Sequence, residues 1–68
     1  MLHLMSREGP EVLIGEATHT LIEGYPCTVV GLDQQSGLVR LRFADGEEGD
    51  YAPAVINCYL LPQDHPQN

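Results

Sequence analysis

The sequence predicts a small, mostly β protein. Its apolar stretches are about four to six residues long, which is the length of strands and far too short to span a membrane. Glycines and prolines separate these stretches, as expected for turns between short strands. Sixty-eight residues allow one domain. We expect this domain at residues 1–61, followed by a polar, proline-containing, disordered tail at 62–68.

The first half of the chain contains stretches with the pattern of strands. They lie at residues 1–5, 11–15 and 27–32. The first alternates, with Leu2 and Leu4 on one face, and the second is apolar enough to be buried. The third is rich in β-branched residues. Residues 16–24 fit either a strand or a loop.

The centre of the chain predicts a β-hairpin. Residues 33–37 form its loop, in which Gly37 suits a positive φ angle. Residues 38–43 have the clearest strand pattern, because apolar side chains alternate with Arg40 and Arg42. The two arginines therefore share one face of this strand.

The last third of the chain begins with a second predicted hairpin turn, at Asp45–Gly46. Residues 48–53 can pair back as an edge strand that ends at Pro53. Residues 54–61 place apolar side chains at roughly helical spacing. We expect a short C-terminal helix there.

A chain this small is expected to need a covalent cross-link or a partner subunit for stability. One disulfide between Cys27 and Cys58 is conceivable, but the first residues do not have the pattern of a signal peptide and we expect none. We therefore expect a cytoplasmic protein in which both are reduced, small apolar side chains. Oligomerisation is then the expected source of added stability.

The charge balance argues against tight, non-specific nucleic-acid binding. Ten acidic residues face three arginines and no lysine, so the net charge is −7. The arginines, Arg7, Arg40 and Arg42, can be understood in two ways. They are either surface charges offset by acids on neighbouring strands or one local positive spot.

No residue pattern indicates catalysis. The three histidines do not stand at metal-ligand spacing from the cysteines, and the acids of residues 45–50 lack the spacing of a calcium loop. No glycine-rich phosphate loop or nucleophile–base set is present in the sequence. We expect no enzyme activity, no cofactor, no metal and no catalytic residue.

Two stretches resemble a known family of regulators. The opening "MLHLMSREGPEVLIGE" is similar to the first residues of the carbon storage regulator family, and "VVGLDQQSGLVRLRF" is similar to that family's central hairpin. The first stretch matches at Met1, Leu2, Leu4, Arg7, Gly9, Ile14, Gly15 and Glu16. The second matches at Val29, Val30, Gly31, Leu32, Val39, Arg40, Leu41 and Phe43. Together they cover nearly half the chain.

The resemblance implies a fold and a function. Family members are domain-swapped homodimers in which five strands per chain interleave into a barrel or sandwich and a short C-terminal helix projects outward. They regulate translation after transcription by binding mRNA or small RNA, usually at GGA in a hairpin loop. The RNA-binding residues implied here are the backbone near Leu4 and the side chain of Arg7. Arg40 and Arg42 would contribute if they face the same groove.

The chain also departs from that family. Ser6 replaces one of two consecutive basic residues, Pro53 falls at or near an arginine of the family, and residues 17–24 form an insertion. We therefore expect weakened or altered RNA binding. The alternative function is an acidic protein-interaction module, which would form mixed dimers with a basic family member or antagonise it.

A third interpretation ignores the opening stretch. Residues 24–53 also resemble an SH3-like or Tudor-like small barrel, which would be monomeric. Such barrels bind peptides or nucleic acid through loops and aromatic residues. Tyr25, Tyr51 and Tyr59 could serve in this way, or they could pack over a thin core.

Overall fold

The computed structural model describes residues 2–62 and confirms a small, mostly β protein with two antiparallel sheets. The strands are β1 (Leu2–Ser6), β2 (Glu11–Val12), β3 (Ala17–Thr18), β4 (Cys27–Leu32), β5 (Val39–Phe43), β6 (Glu48–Tyr51) and β7 (Cys58–Pro62). A 3-10 helix at Pro53–Ile56 lies between β6 and β7. Strand β7 includes Pro62, and residues 63–68 of the predicted tail lie outside the described residues.

The first sheet has the order β2-β1-β7, so the first and last strands pair within one chain. At its centre Leu4 stands opposite Val12 on one side and Leu60 on the other. The backbone continues this pairing beyond the strand, where the Arg7 N–H donates to the Asn57 carbonyl at 3.1 Å. Both edges of β1 are therefore occupied by strands of the same chain.

The second sheet is the meander β3-β4-β5-β6. Strands β4 and β5 pair across the predicted hairpin, with a bulge between Val29 and Gly31. Strand β6 lies at the edge of this sheet, as its position before a proline predicts. The strand predicted at residues 27–32 is therefore confirmed with the same bounds. Those predicted at 38–43 and 48–53 are confirmed with one end shifted by one and two residues, respectively.

Both predicted hairpin turns form. The Asp33 carboxylate accepts the backbone N–H groups of Gln35 at 2.9 Å and Ser36 at 3.3 Å. These bonds to its charged form lower the pKa of Asp33. Gly37 closes the loop at φ 75°, and Gly46 takes φ 92° in the second turn, where a side chain would be strained.

The hydrophobic core is shared by both sheets and the turns between them. Its buried side chains are Leu4, Leu21, Cys27, Val29, Val39, Leu41, Ile56 and Cys58. Cys27 and Cys58 are free thiols, and burial raises the pKa of each. Both fill the core as small apolar side chains. Leu21 comes from the segment 17–24, which therefore contributes to the core.

The strand predicted over residues 11–15 is wrong beyond Val12. Leu13 and Ile14 are 57% and 63% exposed, on a turn rather than in a buried strand. The turn is closed by a hydrogen bond from the Glu16 N–H to the Leu13 carbonyl at 3.0 Å. Gly15 permits it by adopting φ 90°.

The C-terminal helix predicted over residues 54–61 is also wrong. The 3-10 helix ends after Ile56, and Asn57 turns the chain with a left-handed φ of 59°. The chain then pairs with β1 over five residues as β7. The apolar residues 58–61 alternate across this strand, with Cys58 buried and Tyr59 exposed. Long-range pairing with β1 outweighs the helical spacing of so short a stretch.

A membrane-spanning helix is not found in the part of the chain that the structure describes.

Candidate interaction surface

Two of the predicted RNA-binding residues lie in or directly after strand β1 of the first sheet. The Leu4 side chain is 3% exposed and belongs to the core, so only its backbone could contact a ligand. Arg7 is exposed in the turn that follows β1, where its backbone bonds to Asn57. Burial raises the pKa of the Cys58 thiol, and the positive charge of Arg7 partly offsets this rise.

The other two predicted RNA-binding residues stand on the second sheet, and each is bound by a carboxylate of β6. Arg40 makes a two-point contact with Asp50, from Nε to Oδ1 at 2.9 Å and from Nη2 to Oδ2 at 3.1 Å. Arg42 Nε donates to Glu48 Oε2 at 3.0 Å. Strand register explains both contacts, since Arg40 lies opposite Asp50 and Arg42 opposite Glu48. The two guanidinium groups are therefore engaged within the chain.

These contacts stabilise the charged form of both partners. The hydrogen bonds from Arg40, together with its charge, lower the pKa of Asp50. Hydrogen bonding to Asp50, followed by its negative charge, raises the pKa of Arg40. The pair remains ionised at neutral pH and leaves little net positive charge on this face.

The Asp50 pair predicts a pH-dependent contribution to stability. Because folding lowers the Asp50 pKa, the pair stabilises the fold above the unfolded value of about 3.9. The contribution is lost as pH falls through the folded pKa. Urea unfolding should show Asp50→Asn to be less stable than wild type at pH 7, with the difference disappearing in acid. A difference that is constant across this pH range would contradict the assignment.

A second group of charges gathers on the segment between β1 and β4. We name the four glutamates Glu8, Glu11, Glu16 and Glu23 the acidic face. Glu8, Glu11 and Glu16 line a cleft of about 220 Å³, here called the β2 cleft. Glu8 and Glu23 line a cleft of about 360 Å³, here called the Asn57 cleft. Since Glu8 and Thr20 border both clefts, the two form one continuous surface.

The glutamates of the acidic face are carried by turns that are tied to the rest of the fold. The Glu16 carboxylate accepts the Leu13 N–H at 2.9 Å, and the Gly15 N–H donates to Val29 of β4 at 2.6 Å. Near Glu23, the buried Leu21 anchors the chain in the core. Glu11 pairs with His3 of the neighbouring strand. The backbone that carries these glutamates is thus tied to the fold, and the carboxylates of Glu11 and Glu16 are held by contacts within the chain.

The acidic face suits the binding of cationic groups. Glu8, Glu16 and Glu23 are exposed, and no arginine is among the described residues that line the two clefts. Exposed carboxylates accept hydrogen bonds from lysine and arginine side chains of a partner. Within residues 2–62, no group of three or more His, Cys, Asp or Glu side chains is arranged to hold a metal ion.

Among the described residues, no tyrosine ring packs against another tyrosine ring. Tyr51 packs edge-on against Phe43, with ring centroids 6.1 Å apart. The Tyr51 ring also lies over Gly49, where an added Cβ would come within 3.0 Å of it. Tyr25 and Tyr59 are 64% and 42% exposed. Tyr51 therefore serves the packing of β5 and β6, whereas the other two are accessible.

Sequence reasoning placed Arg40 and Arg42 correctly on one strand face but did not find the acidic face. Its four glutamates are separated by up to fifteen positions, and only the path of the segment 7–26 brings them to one surface. The available signal was compositional, since this segment holds four of the ten acidic residues.

The chain was compared with protein-family models, curated proteins and solved structures, and none of them matches it.

Proposed function

We propose that this protein is an interaction module that binds a positively charged segment of a partner protein through the acidic face. The observation that carries the proposal is the division of charge between the two surfaces. Arg40 and Arg42 are already bound by Asp50 and Glu48, whereas the exposed carboxylates of the acidic face are free of arginine neighbours in the clefts that they line. A net charge of −7 adds a long-range attraction for basic partners.

We infer that the fold is an SH3-like small barrel that can act as a monomer. Three features support this: the meander of β4, β5 and β6, the pairing of the first strand with the last, and the 3-10 helix before β7. The acidic face lies on the long connection between β1 and β4. In small barrels, ligands commonly bind at such connecting loops.

A mixed dimer with a basic partner fits this proposal best if the folded chain docks as a unit. An exchange of β1 between chains would first separate it from β7, which pairs with it over five residues. Docking through the acidic face leaves all strand pairs intact. The proposed partner is therefore a basic protein segment, and the chain keeps its own strands.

RNA regulation remains a prediction from the resemblance to carbon storage regulators, and the charge distribution does not favour it. The negatively charged phosphate backbone of an RNA would be repelled by a protein with a net charge of −7. Of the three arginines, Arg40 and Arg42 would have to exchange their carboxylate partners for phosphate or guanine.

A parallel titration tests the proposed function. A fluorescent lysine-rich peptide, a glutamate-rich peptide and a GGA hairpin RNA are each titrated with the wild-type protein by anisotropy. We expect saturable binding of the lysine-rich peptide that weakens with salt, because exposed charges are screened over about 10 Å at 0.1 M ionic strength. The other two probes should not bind. Binding of the RNA without the lysine-rich peptide would contradict the proposal and favour the regulator.

A further inference from the structure

An apolar cleft of about 340 Å³ opens beside the acidic face. It lies between β1, the turn after β2 and the end of β4. Its apolar lining consists of Leu2, Leu4, Val12, Leu13, Ile14 and Leu32. Two of these side chains, Leu13 and Ile14, are among the most exposed large apolar residues of the described chain, at 57% and 63%. Adjacent exposed apolar side chains beside a cleft are typical of a contact surface.

The walls of the apolar cleft are fixed by hydrogen bonds. At one end the Leu2 N–H donates to Gln34 Oε1 at 2.7 Å, which joins β1 to the loop after β4. At the other end the turn that carries Leu13 and Ile14 is bonded to Val29 through Gly15. The exposed aliphatic groups therefore belong to an ordered turn. A ligand would not have to order this turn on binding, which favours affinity.

The apolar cleft is continuous with the acidic face. Glu11 and Val12 of β2 line both the apolar cleft and the β2 cleft. A single segment that crosses β2 could place an aliphatic side chain in one cleft and a basic side chain in the other.

The negative charge around the apolar cleft indicates which kind of ligand it binds. A second copy of this chain would bring a further net charge of −7 towards Glu11 and the acidic face, and the like charges would repel. A basic segment is attracted to the same place. An aliphatic residue flanked by lysine or arginine therefore satisfies both the apolar and the charged parts of the surface.

We propose that the apolar cleft is the anchor site of the partner segment, and that it takes an aliphatic side chain flanked by basic residues. This proposal rests on the proposed function and adds the chemistry of the ligand. Leu13 and Ile14 form the outer wall, Leu32 belongs to the inner wall, and the acidic face holds the flanking cations.

Two matched peptides test the anchor. One is a lysine-rich peptide with two central leucines, and the other has alanines in their place. For the wild-type protein we expect the leucine peptide to bind about tenfold more tightly, as burial of a few methylene groups implies. In Leu13→Ser/Ile14→Ser this ratio should fall to about one, while the alanine peptide binds as before. Both changes lie at exposed turn positions, so the fold should persist.

A control variant separates this effect from a general loss of apolar surface. Val55→Ser/Tyr25→Ser removes two side chains that are 67% and 64% exposed and do not line the cleft. It should keep the tenfold ratio. If wild type binds the two peptides equally, or if the Leu13/Ile14 variant keeps the tenfold affinity ratio, the proposed anchor site is wrong. The proposed function would not be affected by either result. Failure of both peptides to bind wild type would overturn the proposed function as well.

Discussion

Ile56→Ala should destabilise the protein by about 2–5 kcal/mol, which is the usual effect of truncating a fully buried isoleucine. Ile56 is 0% exposed and belongs to the 3-10 helix that leads from β6 into β7. Its side chain belongs to the buried cluster that contains residues of both sheets. A chain of this size has a free energy of unfolding of only about 3–10 kcal/mol. The substitution should therefore remove a large part of this free energy.

The neighbouring Val55 provides the control. It lies in the same 3-10 helix but is 67% exposed, so Val55→Ala should change the free energy of unfolding by no more than about 0.5 kcal/mol. Urea unfolding followed by circular dichroism measures both. If the two variants lose similar stability, Ile56 is not the contact between the sheets that the fold requires.

Glu8→Lys should weaken binding of a lysine-rich peptide about tenfold or more at low salt, because it replaces an attraction by a repulsion. Glu8 lines both the β2 cleft and the Asn57 cleft, so its charge lies at the centre of the acidic face. The loss should shrink as salt rises, since exposed charges are screened.

Glu47→Lys is the matched control for Glu8→Lys. It changes the net charge from −7 to −5, as Glu8→Lys does, but lies in the turn between β5 and β6. A small loss of peptide affinity in Glu47→Lys measures the effect of the overall charge. The additional loss of affinity in Glu8→Lys measures the effect of the position of Glu8 in the acidic face. Equal losses would show that only the net charge matters and would remove the acidic face from the account.

The strands that the sequence predicts correctly are those with strong local patterns. Strands β4 and β5 follow from β-branched residues and from the alternation around Arg40 and Arg42. The turn at Gly46 then places β6 beside β5. Each of these features is decided by residues that are close in sequence, which is the information a local pattern contains.

The parts that the sequence does not predict depend on distant pairing. Strand β7 forms because it pairs with β1, which lies more than fifty residues earlier in the sequence. The local pattern of residues 54–61 does not indicate this pairing. The turn at Leu13 and Ile14 depends on a bond from Gly15 to Val29 of β4. Leu21 reaches the core from a segment without a clear period.

The same distinction applies to the functional surface. Alternation predicts that Arg40 and Arg42 share a face, but their pairing with Asp50 and Glu48 depends on the register of β5 and β6. The acidic face and the apolar cleft are both made by the path of the chain between β1 and β4. Composition alone indicates only that the partner should be basic.

The most direct test of the account is a map of the binding surface by ¹H–¹⁵N correlation spectra of the labelled protein, recorded with increasing lysine-rich peptide. We expect the largest shifts at the amides of Glu8, Glu16 and Glu23, with small shifts at Arg40 and Asp50. Shifts concentrated on the β5–β6 face, or spread evenly over the molecule, would contradict the assignment of the acidic face as the binding surface.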